Sequence, residues 1–224
     1  MCGRFAITFP DDAMAQLFDA VPANDLPEGP RYNVCPTNDV HVVTSDAGAR
    51  RLRPMRWGFL PQWYKAVNGG PLLINARSET IAEKPAFKAA CRERRCLIPA
   101  SGFYEWTKTP AGARDPWYIH RADGAALVFA GVWQDWERGE ERFTTCAIVT
   151  CAANAAMARI HKRMPVVLEP ANWAKWLGED GKGAATLMAA APEEALEFYR
   201  VGRAVNSNRA AGPELISPLE DGEI

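Results

Sequence analysis

A series of short β-type runs, broken by Gly, Pro and Asp turns, constrains this chain more than any other feature. The runs recur from residue 40 to residue 168, and such spacing is typical of strands joined into an antiparallel sheet. The predicted strands are Val40–Thr44, Arg51–Phe59, Arg95–Pro99, Trp117–Arg121, Ala126–Trp133, Phe143–Thr150 and Pro165–Leu168.

Short helical patterns lie before, between and after these strands. Residues Asp11 to Ala20 place Met14, Leu17 and Phe18 on one face, which favours a short amphipathic helix. The other predicted helices are Lys84–Arg94, Pro170–Leu177 and Ala184–Ala191. Residues 21–38 read as an ordered loop, and Glu194–Val201 fits a strand or a helix. The pattern predicts a single α+β domain with a mainly antiparallel, barrel-like β-sheet core flanked by short helices.

The length of 224 residues suits one domain, which we place at residues 1–216. The acidic residues 217–224 are expected to form a loose tail. No apolar run reaches the ~20 residues of a membrane helix, and the N-terminus has no secretory pattern. We expect a monomer in the cytoplasm, associated with the nucleoid if it acts on DNA.

The six cysteines predict neither disulfides nor a metal site. A domain of this size without an export signal does not need disulfides, and the cytosol keeps thiols reduced. Cys91/Cys96 and Cys146/Cys151 repeat one spacing, but structural zinc sites usually use shorter ones. Cys146 and Cys151 also flank a strand-like run, where buried free cysteine is common. No cofactor is predicted.

The overall charge excludes a protein that binds nucleic acid through bulk charge. The formal net charge is −1 and the isoelectric point is about 6.3. A role on nucleic acid therefore requires a local patch of cations.

Cys2 follows the initiator methionine directly. If Met1 is removed, the chain begins with an amine and a thiol on adjacent carbons, with reference pKa values of ~8 and ~8.5. Such a 1,2-aminothiol attacks an aldehyde with nitrogen and closes a five-membered thiazolidine with sulfur. Its position alone is equally consistent with an accident of the start codon.

Four polar clusters lie beside apolar residues, and each has an ordinary structural explanation when taken alone. Asn75 could cap a turn, Glu105 could be a solvated strand residue and His161 could be a surface histidine. The clusters are Cys2–Phe5, Asn75–Thr80, Pro99–Trp106 and Ile160–Pro165.

Together these clusters resemble one family over nearly the whole chain, the SRAP domain proteins, known in bacteria as SOS response-associated peptidases. The matching motifs are MCGRF (1–5), RYNVCPTN (31–38), RWGFLPQW (56–63), NARSET (75–80), KPAFK (84–88), RRCLIPASGFYEW (94–106), FAGVW (129–133), IHKRMP (160–165) and VGRAVNS (201–207). The resemblance implies covalent capture of abasic sites in single-stranded DNA by the N-terminal cysteine.

The resemblance also implies roles for four residues. Cys2 is the nucleophile, and Glu105 transfers protons at its amine. A carboxylate held between Phe103 and Trp106 is expected to have a raised pKa, which suits acid–base catalysis. His161 is expected to protonate the sugar ring oxygen, and Asn75 to orient the amine and the sugar by hydrogen bonds.

DNA contacts are expected on both sides of these residues. Arg4 and Arg77 adjoin the catalytic motifs and are expected to pair with flanking phosphates. Arg163 joins that patch, and Arg31 and Arg56 are weaker candidates. Trp63 and Tyr64 lie on a Pro- and Gly-rich loop, where they are candidates for stacking on a base. Core packing is the alternative role for Trp63.

Other chemistry remains open on the sequence alone. An N-terminal-nucleophile hydrolase would use the Cys2 thiol against an amide with its own amine as base. A non-catalytic reader of modified or damaged DNA would bind without an adduct. Strand cleavage by β-elimination is a possible side reaction of an imine at an abasic site.

Overall fold

The computed structural model describes residues 2–219, and these contain thirteen strands and four α-helices. The strands are β1 (Phe5–Ile7), β2 (Ala20–Pro22), β3 (Arg31–Val34), β4 (Asp39–Asp46), β5 (Ala49–Trp57), β6 (Asn75–Arg77), β7 (Arg95–Ala100), β8 (Gly102–Lys108), β9 (Arg114–Arg121), β10 (Leu127–Arg138), β11 (Glu141–Ala152), β12 (Arg163–Pro165) and β13 (Leu196–Arg200). The helices are α1 (Asp11–Phe18), α2 (Lys88–Glu93), α3 (Ala155–Ala158) and α4 (Trp173–Leu177).

Five strands close into a barrel. Consecutive neighbours in the order β11-β10-β7-β4-β5 pair antiparallel, and a parallel pairing of β5 with β11 closes the ring. Strands β12 and β6 add to β11, and β2 adds to β5. The α+β fold with a barrel-like, mainly antiparallel core is therefore confirmed.

A second sheet lies beside the barrel in the strand order β13-β9-β8-β1-β3. Phe5 of β1 joins the two sheets, because its ring centroid lies 5.1 Å from that of Trp57 and 6.0 Å from that of Phe129. Edge and tilted contacts at such distances are favourable and bury large apolar area. This packing fixes the start of the chain against the barrel core.

Most long strands were predicted, but several short elements differ. The predicted loop 21–38 contains β3, and β1, β6 and β8 were not anticipated as strands. Three-residue strands such as β1 and β6 are too short to show a period of two. The ambiguous segment Glu194–Val201 contains β13, whereas the predicted strand Pro165–Leu168 is replaced by β12 and a single bridge at Val167.

The predicted helices are mostly shorter in the structure. Lys84–Arg94 yields only α2 after a series of turns, and Ala184–Ala191 yields a 3-10 turn at Ala184–Leu187. Short segments with little apolar surface to bury gain too little to propagate a helix. No helix within residues 2–219 is long and apolar enough to cross a membrane.

The predicted loose tail begins too early. Pro218 forms an antiparallel bridge with Val201, and the Leu219 amide donates to the Arg200 carbonyl at 3.0 Å. The remainder of the predicted tail, residues 220–224, lies outside the described residues.

Candidate active site

Strand pairing places Cys2 beside the β8 motif. Phe5 of β1 pairs with Phe103 of β8, and the Tyr104 amide donates to the Arg4 carbonyl at 2.9 Å. Gly3, which precedes Arg4, and Glu105, which follows Tyr104, line one pocket, so the start of the chain runs along the face of β8 that bears Glu105. The sheet thereby brings the first and third polar clusters together.

Asn75 holds the main chain of Cys2. Its strand β6 lies parallel to β11, with Asn75 opposite Ile148. The Asn75 Nδ2 donates to the Cys2 carbonyl oxygen at 2.9 Å. The buried Asn75 Oδ1 has no hydrogen-bond partner within residues 2–219. A buried amide oxygen without a donor is costly, so this atom is suited to accept from a ligand or a terminal amine.

Glu105 is a buried carboxyl group next to an imidazole. Its side chain is only 3% exposed, and this burial raises the pKa of Glu105. The nearby His161 acts in the opposite direction, but its effect on the pKa is smaller. The Glu105 Oε1 lies 3.9 Å from His161 Nδ1. The expectation of a raised pKa is therefore confirmed, and burial is its cause. Such a carboxyl group holds its proton more tightly than an exposed one, which suits proton transfer.

His161 lies partly exposed at the edge of this group. Its Nδ1 is 3.0 Å from both the backbone nitrogen and the backbone oxygen of Arg163. The tautomer therefore decides whether this nitrogen accepts or donates a hydrogen bond there. The backbone of β12 fixes the imidazole at the wall of the pocket that also contains Glu105.

The Cys2 side chain is completely buried. Burial, followed by the negative charge of Glu105, raises the pKa of the Cys2 thiol well above its ordinary value. The group is consequently a thiol rather than a thiolate at neutral pH.

Two pockets adjoin Cys2 and Asn75, one lined by Gly3 and the other by Asn75. The first, which we call the β8 pocket, has a volume of about 700 Å³ and is lined by Gly3, Arg4, Glu105, Trp106, Lys108, Arg114, His161 and Asn206. The second, the Trp63 pocket, has a volume of about 550 Å³ and is lined by Trp63, Leu73, Asn75, Arg77, Thr80, Lys84, Pro85, Ala86 and Phe87. Both pockets bear more cationic than acidic side chains, which suits an anionic ligand.

The predicted flanking arginines fall in different pockets. Arg4 lies in the β8 pocket, where its Nη1 donates to Asn33 Oδ1 at 2.7 Å and to the Val205 carbonyl at 2.8 Å. Its guanidinium also lies 5.8 Å from the ring centroid of Trp106. Arg77 is exposed in the Trp63 pocket. The two cations therefore line different pockets.

Arg163 lines neither pocket and instead forms an ion pair with Glu79. Its Nη2 donates to Glu79 Oε2 at 2.9 Å and to the Thr150 carbonyl at 2.7 Å. A phosphate would have to displace these partners, so the structure gives no support to a free phosphate ligand at this position.

The two weaker candidates, Arg31 and Arg56, also donate hydrogen bonds to main-chain carbonyls. Arg31 donates to the Asp39 carbonyl at 2.6 Å, and Arg56 donates to the Gly58 carbonyl at 2.8 Å. Neither side chain lines the β8 pocket or the Trp63 pocket. Both support turns in the main chain.

The aromatic pair divides into one exposed and one buried ring. Trp63 is 55% exposed at the Trp63 pocket, as a stacking residue requires. Tyr64 is only 7% exposed, packs with Leu60 and Trp136, and donates its hydroxyl to the Pro71 carbonyl at 3.0 Å. The stacking hypothesis for Tyr64 is therefore wrong, because core packing leaves its ring no open face.

Several pocket residues were not singled out from the sequence. Trp106 and Asn206 lie within two of the recognised motifs, and the Trp106 Nε1 donates to Asn206 Oδ1 at 2.6 Å. Lys108 and Arg114 belong to none of the recognised motifs. They come together at the pocket because β8 pairs with β9. Such cross-strand proximity has no signal in the linear sequence.

The remaining cysteines are free thiols. Cys96, Cys146 and Cys151 are buried, while Cys35 and Cys91 are partly buried. Within residues 2–219, no group of three or more His, Cys, Asp or Glu side chains could hold a metal ion.

Comparison with known proteins agrees with the resemblance. The family described as SOS response associated peptidase (SRAP) matches residues 1–208. The chain is 36% identical over 223 residues to the abasic site processing protein YoqW of Bacillus subtilis, covering 96% of this chain and 99% of that protein. It is 34% identical over 229 residues to the abasic site processing protein YedK of Escherichia coli, covering 98% and 100%.

Solved structures share the fold. A Bacteroides thetaiotaomicron protein superposes with a TM-score of 0.84 at 22% identity, covering 98% of this chain and 100% of that one. A phage-related protein of Bordetella bronchiseptica matches with a TM-score of 0.68 at 33% identity, covering 89% and 94%. The chain belongs to the SOS response associated peptidase (SRAP) family.

Proposed function

We propose that this protein, once Met1 is removed, captures abasic sites in single-stranded DNA as a thiazolidine on Cys2. The observation that carries the proposal is the hydrogen bond that fixes Cys2 to Asn75 next to the buried acid Glu105. The names of the relatives in Bacillus subtilis and Escherichia coli, which are abasic site processing proteins, support the same substrate.

Capture proceeds in two bond-forming stages. The free α-amine attacks the C1′ aldehyde of the opened sugar and gives a carbinolamine, which loses water to form an imine. The Cys2 sulfur then adds to C1′, and its proton passes to the nitrogen. The net reaction joins protein and sugar with the loss of one water molecule and requires no oxidant.

The surrounding side chains supply and remove the protons. Glu105 takes a proton from the attacking amine and returns one to the departing hydroxyl. Burial raises the pKa of Glu105 and so favours the protonated form that the second transfer needs. His161 protonates the ring oxygen and so favours the open aldehyde. The Asn75 Oδ1, buried without a partner in residues 2–219, accepts a hydrogen bond from the terminal amine.

Removal of Met1 is a required step in this mechanism. While Met1 is attached, the nitrogen of Cys2 is an amide and cannot form an imine. Either an aminopeptidase or the site itself removes the methionine.

The two pockets suit a single strand. Cys2 is completely buried, so a sugar reaches it only when its nucleotide leaves the stack, which costs least in single-stranded DNA. Arg77 is exposed in the Trp63 pocket and is available to a phosphate, and Trp63 offers an exposed ring to a base. Arg4 lines the β8 pocket and would bind a phosphate beside or in place of its hydrogen bonds to Asn33 and Val205.

Intact-mass analysis of the purified protein tests the proposal directly. The protein is expected to lack Met1 and, after incubation with abasic single-stranded DNA, to gain the mass of the DNA minus one water. Cys2→Ala is expected to form no stable adduct, and full crosslinking by this variant would refute the mechanism. Strand cleavage alone would indicate a lyase, binding without adduct a reader, and peptide hydrolysis an N-terminal-nucleophile enzyme.

A further inference from the structure

The end of the β8–β9 hairpin carries two unpaired cations. Lys108 and Arg114 are direct cross-strand partners, and both are exposed. Neither side chain forms an ion pair within residues 2–219, and both line the β8 pocket together with Glu105 and His161.

At the end of the β10–β11 hairpin, residues of opposite charge face each other. In β10–β11, Glu137 faces Arg142 with an ion pair of 2.9 Å, and Arg138 faces Glu141. Opposite charges in directly facing positions stabilise a sheet, whereas like charges destabilise it. The pairing of Lys108 with Arg114 is therefore unfavourable in the free protein and becomes favourable when an anion lies between them.

The distance between Glu105 and Lys108 indicates that this anion is a DNA phosphate. Lys108 is three residues beyond Glu105 on β8, which is about 10 Å along an extended strand. That distance corresponds to roughly three nucleotides of a stacked strand, at 3.4 Å for each. A DNA strand attached at Cys2 and leaving through the β8 pocket brings a phosphate to the hairpin end.

We propose that Lys108 and Arg114 form a phosphate-binding subsite for the DNA strand that continues past the lesion on one side. The inference rests on the proposed function, and it adds a contact remote from the reacting atoms. The subsite strengthens the encounter with longer strands and takes no part in bond formation.

Two variants with the same change in charge test the subsite. Lys108→Glu and Arg142→Glu each alter the net charge by two units, but only Lys108 lies in the β8 pocket. Binding is measured by fluorescence anisotropy on single-stranded oligonucleotides without an abasic site, across a range of salt concentrations. Melting temperatures are measured on the same samples, and crosslinking rates on abasic oligonucleotides extended on the 5′ or the 3′ side.

Lys108→Glu is expected to bind several-fold more weakly and to lower the slope of log affinity against log salt by at least about 0.7. Its melting temperature is expected to equal or exceed that of the wild type, because the substitution creates an opposite-charge pair with Arg114. Extension of the DNA on one side is expected to accelerate crosslinking by the wild type but not by Lys108→Glu. Arg142→Glu is expected to retain wild-type binding.

The subsite would be refuted by equal binding of Lys108→Glu and the wild type, or by equal weakening in both variants. Failure of the proposed function gives a different result, because anisotropy does not depend on covalent capture. A protein that binds single strands through Lys108 but forms no adduct retains the subsite and loses the proposed mechanism. Absence of any binding by the wild type refutes the subsite, and intact-mass analysis then decides separately whether capture occurs.

Discussion

Replacing Glu105 by glutamine removes a buried ionisable group. The variant therefore tests separately the effect of that charge on stability and the role of the carboxyl group in proton transfer. The carboxyl group is 3% exposed, and burial raises its pKa above the reference value of 4.5. A group whose pKa is raised by folding binds its proton more tightly in the folded state. Its favourable contribution is complete below the unfolded pKa and is lost as pH rises through the folded pKa.

The size of the effect follows from linkage. Each unit by which the folded pKa exceeds 4.5 costs the wild type about 1.4 kcal/mol of unfolding free energy at higher pH. Glutamine is neutral at every pH and can still accept the backbone hydrogen bond from Trp106. We therefore expect Glu105→Gln to be more stable than the wild type at neutral pH, with a difference that vanishes towards pH 4.

Chemical denaturation between pH 4 and pH 8 measures this difference. Glu79→Gln provides a control of opposite sign, because the hydrogen bond from Arg163 lowers the pKa of Glu79. That variant is expected to be less stable than the wild type at neutral pH and to approach it in acid. A Glu105→Gln advantage that stays constant or grows as pH falls would refute the electrostatic argument. Crosslinking by Glu105→Gln is expected to slow more than DNA binding weakens.

Four further outcomes follow from the geometry. Asn75→Ala removes the hydrogen bond to the N-terminal cysteine carbonyl and is expected to cost about 1–3 kcal/mol in denaturation, with slower single-turnover crosslinking. Arg4→Ala and Arg77→Ala are each expected to reduce the salt slope of single-strand binding by about 0.7, and an unchanged slope would exclude a phosphate contact. Trp63→Ala is expected to weaken DNA binding by about 1–3 kcal/mol at an unchanged melting temperature. Tyr64→Ala is expected to lower the melting temperature through lost packing.

The sequence predicts the barrel well because its strands are long. Strands β10 and β11 each contain twelve residues, so their apolar character and flanking turns stand out. The sequence does not predict strand β8, because its polar residues indicate a functional motif and give no separate signal for a sheet. Strands β1 and β6 owe their extended form to their neighbours, which no local pattern records.

The sequence indicates the residues of the candidate site, but it indicates their electrostatic surroundings only in part. The motifs identified Cys2, Asn75 and Glu105, and the apolar neighbours of Glu105 indicated its raised pKa. The partner of Arg163 is 84 residues away along the chain, and no spacing argument indicates that pair. The alternation of Trp63 and Tyr64 between solvent and core likewise depends on packing against β10.

The electrostatics of the site bear on the order of the two bonds in the proposed capture. Burial and the charge of Glu105 keep the Cys2 sulfur protonated, so a first attack by thiolate is disfavoured. The amine becomes a free nucleophile once Met1 is gone, and Glu105 is then available to accept its proton. After the imine forms, the sulfur is held next to an electrophilic carbon, and its proton has a basic nitrogen to receive it. A raised thiol pKa is therefore compatible with ring closure, and it protects Cys2 from other electrophiles until an aldehyde has reacted.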